Sequence, residues 1–347
     1  MKLTEMDAFN LPYSGKDIPA PTMAEYSRIF LLQLLCFLTR CRWKVFHFKN
    51  PNNARRKETY GFNTTCPAPP DPDLKRFEEL MFEMLNKLKS RPIRNKYQKD
   101  LKEKVQEIDD CPDVIVSADK TANYYRIPPD QYNKLLTESV TKDYHKIGQE
   151  IEDKINREAA EIAKKLDIED RVDIYSHKDP YVMIKDHKSS FPSRIETRLV
   201  NPSKSQIGRV AKKILDNIIK LVKPKIDVRQ WKATSEVINW FESIGDKQRK
   251  FFIKFDVIEF YPSITEKLFS DALDFAKGYT EIKDEELEIL HNARKQMITW
   301  SDTHWTKKTG TFDVGIGSFD GAETCNLVGL FLLHHIKRKS EATSLTF

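Results

Sequence analysis

The chain has 347 residues, 39% hydrophobic and 32% charged, which excludes a peptide module and a disordered polyelectrolyte and leaves room for two or three cooperating subdomains. With 58 Lys and Arg against 52 Asp and Glu, the net charge is only +6, so any basic surface must come from arrangement and not from excess. The five cysteines, Cys36, Cys41, Cys66, Cys111 and Cys325, have neither C-x-x-C nor zinc-ligand spacing. That argues against a disulfide framework or metal knuckle and for a reducing, intracellular setting, nucleus or cytoplasm.

Pro12, Pro19 and Pro21 punctuate the start, and an apolar-periodic stretch over 23–43 predicts a helix. Its longest apolar run, IFLLQLLCFL over 29–38, is interrupted by Gln33. It falls short of the roughly 20 residues of a membrane span, so it reads as a buried helix and no membrane partner is expected. A segment rich in Pro and Asn follows near 50–73. Leu74, Phe77, Met81, Met84, Leu85 and Leu88 then line one helical face until Pro92 breaks it, and a charged helix resumes over 97–108. From Cys111 the texture changes. VIVSADK at 114–120 is a β-branched run, YYRIPPDQYNKLL at 124–136 reads as a loop leading into a helix, 143–166 as a polar helix, and PYVMIKDH at 180–187 as a strand.

A strongly periodic helix over 203–225 puts Ile207, Val210, Ile214, Ile218 and Leu221 on one side. The other side carries Lys204, Arg209, Lys212, Lys213, Lys220, Lys223 and Lys225 against the single acid Asp216. Such a helix either tracks a nucleic-acid backbone or is a solvated amphipathic helix with Ser203 as its N-cap. The last third predicts a strand, FFIKFDVI at 251–258, a loop, EFYPSI at 259–264, helices through Ala272 and over 287–298, and a helical finish over 322–337. Strands alternating with helices predict an α+β fold with a helical N-terminal extension.

The stretch FFIKFDVIEFYPSI, 251–264, bears most directly on chemistry. A carboxylate at the end of a buried strand is costly unless it is paired or holds a cation. Asp256 therefore either meets a divalent metal, caps the following turn or pairs with Lys254. The segment resembles motif A of the reverse-transcriptase palm, in which a strand carries a metal-binding Asp and an aromatic residue lies five positions later, here Asp256 and Tyr261. The resemblance implies that Asp256 and the main-chain carbonyl of Val257 bind Mg²⁺ (or Mn²⁺) and that Tyr261 packs under the incoming sugar, excluding a 2′-hydroxyl and favouring DNA synthesis.

Other segments match in the same order. Arg198 in RLVNP resembles the arginine of the polymerase fingers that contacts a nucleotide triphosphate, a task suited to the planar guanidinium fork. Lys185 and Lys188 in KDHK resemble the fingers loop that touches template or triphosphate. Taken alone, Arg198 reads equally as a member of a surface ion pair and the KDHK loop as solvated. DVGIGSFDGAETCNLVGLFLL at 313–333 resembles motif B, a glycine-containing loop and apolar helix that support the template. Gly317-Ser318 match its start, whereas Phe319-Asp320-Gly321-Ala322 replace the usual Pro-x-Ser-Pro, and a glycine-rich turn capping a buried helix is the plainer alternative. VSADK at 116–120, with Tyr132 and Leu135-Leu136 downstream, is similar to a segment of Penelope-like and related eukaryotic retroelement reverse transcriptases.

The resemblance covers about 112–337 and implies a right-hand polymerase: a helical extension over 1–110, a fingers-like region over 111–250 and a partial palm over 251–347. It implies template-directed DNA synthesis by Mg-dependent nucleotidyl transfer, with RNA or DNA template-primer and deoxynucleoside triphosphates as partners. Arg198 and Lys185 would neutralise phosphates, while Lys188, Lys204, Arg209, Lys212, Lys213, Gly317 and Ser318 would touch nucleic acid. Motif C, the Tyr-x-Asp-Asp hairpin that completes a two-metal site, does not follow motif B, since the one Asp-Asp pair is Asp109-Asp110, upstream. The expectation is a retroelement reverse transcriptase truncated before motif C or, alternatively, a catalytically inactive remnant that binds RNA or template-primer. The strand at Asp256 should have an incomplete edge, and Arg198, Lys185 and Asp256 should converge on a cleft floored by Tyr261.

Overall fold

A computed structural model describes residues 26–51, 68–87, 96, 106, 110–166, 169, 178–202, 205, 207–231, 233–252, 254 and 256–342. Lys204, Ser203, the opening prolines, Cys66 and most of the charged stretch over 97–108 lie outside them. The elements begin with α1, Tyr26–Lys49, a 3₁₀ turn at Pro72–Leu74 and α2, Lys75–Lys87. Next come β1, Val114–Ser117, β2, Tyr124–Ile127, α3, Pro129–Asp143, β3, Tyr144–Ile147, α4, Gln149–Lys165, β4, Tyr181–Ile184, and β5, Thr197–Val200. The remainder holds α5, Gly208–Val222, α6, Thr234–Ser243, α7, Phe260–Ser263, α8, Glu266–Lys277, α9, Asp284–Ala293, β6, Ile298–Trp300, β7, Thr303–Lys307, and α10, Gly321–Ala342. The fold is a mixture of helices and small sheets, α+β in class. No helix among the described residues is long and apolar enough to cross a membrane.

The chain divides into two compact units, each assembled from two stretches: Met1–Lys142 with Tyr181–Leu199, and Asp143–Pro180 with Val200–Phe347. In the first, α1 and α2 are clasped by Arg42 on Glu78, by Lys49 on Asp71 and Asp73 at 2.8 and 2.6 Å, and by Phe37 against Phe77. One partner helix covers only one stripe of α1. Leu34 and Leu38 are buried, while Phe30, Leu31, Leu32, Leu35 and Phe37 stay exposed, so this helix is not the buried one its apolar run suggests.

β1 and β2 form an antiparallel hairpin, Val114 opposite Ile127 and Ser117 opposite Tyr124. YYRI is thus a strand and not a loop, because Tyr125 and Ile127 alternate inwards onto Val116, Ala118 and Ile184. β4 pairs with β5. A parallel bridge between Ala118 and Ile184, extended by the Asp119 amide donating to the Ile184 carbonyl at 2.8 Å, joins the two pairs of strands.

In the second unit β3, β7 and β6 make a three-stranded antiparallel sheet. The hairpin between β6 and β7 turns through Ser301 and Asp302, both left-handed at φ 49° and 53°. That geometry suits the strand twist of a two-residue turn. The helix expected to run to Ile298 therefore stops at Ala293, and the polar helix expected from Asp143 begins only after β3. α5 packs against α9 and α10, and α10 also against α8. The apolar residues of α5 recur at i, i+3 and i+4, burying Val210, Ala211, Ile214, Leu215, Ile218, Ile219 and Val222. The buried face is broader than expected and turned away from Leu221, which is 48% exposed. The helix starts at Gly208 with Ile207 as its N-cap and no side-chain cap.

The described residues of 251–258 do not form the expected strand. They are unpaired, with Phe251 fully exposed and Ile258 85% exposed. A short apolar run becomes a strand only where a neighbour accepts its amide and carbonyl groups. None of the sheets among the described residues includes this segment.

Candidate nucleic-acid interface

The expected site residues fall into two groups, one in each unit. In the first, Asp119 follows β1 and Asp186 follows β4, so the parallel bridge sets two carboxylates at the same ends of neighbouring strands. Asp119 is almost wholly buried and pairs with Arg198 at 2.9 Å, whose side chain remains 38% exposed. One edge of the Arg198 guanidinium is thereby fixed. Asp186 accepts hydrogen bonds from Thr121, from the Tyr125 hydroxyl at 2.9 Å and from Asn123 at 3.0 Å. Burial works against its charged form, but these donors and the nearby His187 together outweigh it and hold its carboxyl below the ordinary range. Lys185 is half-buried with its amide on the Glu196 carbonyl at 2.9 Å, and Lys188 is exposed.

The second unit gathers three of the segments singled out from the sequence. Asn201 donates its amide to Ile316 at 2.8 Å and its side-chain amide to the Met297 carbonyl at 3.0 Å, which ties RLVNP to the glycine loop. Gly317 sits at φ +112°, and a Cβ there would lie 2.4 Å from the Asn201 carbonyl oxygen. Only glycine allows that approach. Ser318 Oγ closes the loop on the Gly315 carbonyl at 3.0 Å. Tyr261 is half-buried on the one-turn helix α7, beside Gly321 and hydrogen-bonded to Cys325. Burial pushes the Cys325 thiol up to about 12, against the pull of Arg294 and Tyr261. The turn that presents Tyr261 is entered through Glu259 at φ 51°, a left-handed conformation unusual for this residue type.

A buried polar network lies beneath. Arg294, fully buried, pairs with Asp320 and donates to the Asp313 carbonyl at 3.3 Å. Asp313 accepts from the Tyr144 hydroxyl at 2.7 Å and pairs with Lys307 at 3.0 Å, and Lys307 also donates to the Pro262 carbonyl at 3.0 Å. The chain of contacts thus ties the turn at Tyr261 to the loop at Gly317. Burial pushes the Asp320 carboxyl up to about 6 despite Arg294, and burial with the adjoining Asp313 charge raises the Tyr144 phenol well above its usual value.

Of the expected nucleic-acid contacts on α5, Arg209 lies over the Phe319 ring at 5.0 Å and Lys212 pairs with Glu323 at 3.0 Å, while Lys213 and Lys220 are exposed on the same side as Arg209. The helix therefore docks on the loop with part of its charge and presents the rest to solvent. Asp256 and Val257 are exposed on the unpaired segment. Among the described residues no group of three or more His, Cys, Asp or Glu side chains is arranged to hold a metal ion. One solvated carboxylate does not fit the multidentate oxygen shell that a catalytic Mg²⁺ pair needs.

Of the residues singled out from the sequence, Tyr261 lies beside Gly321, Gly317 against Asn201 and Arg198 on Asp119; Asp119 as the partner of Arg198, and Tyr144, Arg294, Lys307 and Asp313, were not singled out. Asp320 did leave a signal, because it stands where the motif B resemblance breaks down. No family model matches the chain, and no curated protein or solved structure is significantly similar to it.

Proposed function

We propose that this chain carries the fingers and part of the palm of a reverse-transcriptase-like polymerase, and that in this form it holds a template-primer rather than extending it. The observation that carries the reading is the convergence in the second unit of Asn201, Tyr261 and the Gly317-Ser318 loop, three segments widely spaced in sequence, of which the resemblance assigns RLVNP and Tyr261 to the incoming nucleotide and Gly317-Ser318 to the template. The exposed cations Arg209, Lys213 and Lys220 border it. Their spacing along α5 suits contacts to successive phosphates, which supply affinity without sequence preference. Arg198, oriented by Asp119, is proposed as the cation for a nucleotide's phosphates, with Lys185 and Lys188 beside it. Nucleotidyl transfer with Mg²⁺ would need carboxylates beyond Asp256.

The test is fluorescence anisotropy with a labelled RNA–DNA template-primer over a salt series. The wild-type chain should bind with log K falling linearly in log salt. Replacing Lys213 and Lys220 by Ala should weaken binding equally for unrelated sequences and reduce the slope by about 0.9 for each phosphate that is no longer neutralised. Asp256→Asn should leave affinity unchanged, and primer extension should be undetectable. Salt-independent binding, or a slope unmoved by both substitutions, would remove the proposal.

A further inference from the structure

Beyond the C-terminal end of α5 the chain turns through Lys223–Lys225, buries Ile226 and reaches a cleft of about 440 Å³ lined by Arg229, Trp231, Glu236, Asn239, Trp240 and Ser243. The segment leading to it is anchored: Lys223 donates to Gln230 at 3.1 Å, Gln230 to Asn326 at 3.1 Å, and Lys337 to the Asp227 carbonyl at 2.8 Å. The indoles of Trp231 and Trp240 touch, with ring centroids 4.8 Å apart. Phe252 extends the aromatic surface, 6.4 Å from Trp240 and 5.3 Å from Phe241, and Lys247 lies over Phe241 at 5.5 Å. Trp231 is 41% exposed and Phe252 48%. The stretch over 229–254 carries six cations, Arg229, Lys232, Lys247, Arg249, Lys250 and Lys254, against three acids.

We infer that this cleft is a binding site for single-stranded nucleic acid, in which a base stacks on the exposed side of the Trp231–Trp240 pair. Since the two indoles are already in contact, the base cannot enter between them. Two features favour a nucleotide over a second polypeptide. Aromatic faces interleaved with cations match the alternation of base and phosphate along a strand. The cleft floor offers Asn239, Ser243 and Glu236, donors and acceptors suited to the edge of an unpaired base. Glu236 would repel a phosphate placed against it, so the phosphates lie outwards, towards Arg229 and the cations of 247–254. The inference does not rest on the polymerase reading, because aromatic stacking on a basic surface makes no demand on motif A or motif B.

The test uses the full chain and a short labelled oligothymidylate. Trp231→Ala and Trp240→Ala should each weaken binding roughly 5- to 150-fold, the range expected for removal of one base stack, while leaving the salt slope unchanged. Trp231→Phe and Trp240→Phe should keep most of the affinity, and oligonucleotide should quench the fluorescence of the wild-type chain. The Lys213 and Lys220 variants should instead change the salt slope for template-primer, so the two sites fail separately. Full affinity in the Ala variants would overturn the inference. Equal losses in the Phe and Ala variants would also overturn it, since stacking would then not be the cause. So would Ala variants that dissociate a self-associated form in sedimentation while binding oligonucleotide normally, because the patch would then join copies of the chain.

Discussion

Replacing Gly317 with Ala isolates the packing of the glycine loop against Asn201. At φ +112° the new side chain meets an unfavourable backbone conformation, which costs about 1–3 kcal/mol. Its Cβ would also sit 2.4 Å from the Asn201 carbonyl oxygen and 3.0 Å from its carbonyl carbon. Asn201 cannot retreat freely, because its amide is held by Ile316 and its side chain by Met297. Overpacking against a fixed backbone adds about 1–3 kcal/mol, for a combined loss of about 2–6 kcal/mol. Gly310 supplies the control, with φ +129° and nothing within 4 Å of its virtual Cβ. Gly310→Ala carries the conformational term alone, and the loss of unfolded-state entropy is common to both variants and cancels. Urea unfolding followed by intrinsic fluorescence should therefore place Gly317→Ala about 1–3 kcal/mol below Gly310→Ala. If the two are equal, or Gly310→Ala is the weaker, the loop does not press on Asn201 and the described convergence is wrong.

Three further outcomes follow from the buried network. Removing one partner of the Arg294–Asp320 pair strands a charge, so Arg294→Met should cost about 3–5 kcal/mol in urea unfolding, whereas Arg294→Met with Asp320→Leu should recover much of that loss. The folded Asp320 carboxyl titrates near 6 and the unfolded one near 3.8, so between those values the folded chain holds a proton that the unfolded chain has released. Stability should accordingly fall as pH rises through that window, and Asp320→Asn should flatten this part of the profile of unfolding midpoint against pH. With its thiol pushed up to about 12, Cys325 should resist iodoacetamide at pH 8 while the exposed Cys36 is alkylated, as peptide mapping by mass spectrometry would reveal.

Local pattern was enough for β1, β4, α5 and α10, because each is specified by β-branched composition or by a 3.6-residue repeat within its own length. It failed where a distant partner decides the outcome. FFIKFDVI has the composition of a strand yet its described residues stay unpaired, and YYRI becomes a strand because β1 lies beside it. The hairpin at 298–307 rests on two left-handed residues, Ser301 and Asp302, neither of them glycine, so the usual turn signal is missing. The site divides the same way. Gly317 and Tyr261 belong to short recognisable segments, but the pairing of Arg294 with Asp320 spans 26 positions and no local spacing announces it. Arg198 was legible as a cation, whereas the buried Asp119 that orients it was visible only once β1 and β4 lay side by side.

The interleaving of the two units sets an order on synthesis. As the chain emerges N-terminus first, Ala118 has no bridge partner until Ile184 has been made, and the intervening stretch, 143–180, belongs to the other unit. The first unit cannot close as a nascent domain, because Ile184, Phe191 and Ile195, which complete the cluster around Val116 and Tyr125, are made only after that stretch. A pause or a chain break within 143–180 would therefore interrupt both units at once, a vulnerability that two domains arranged one after the other would not have.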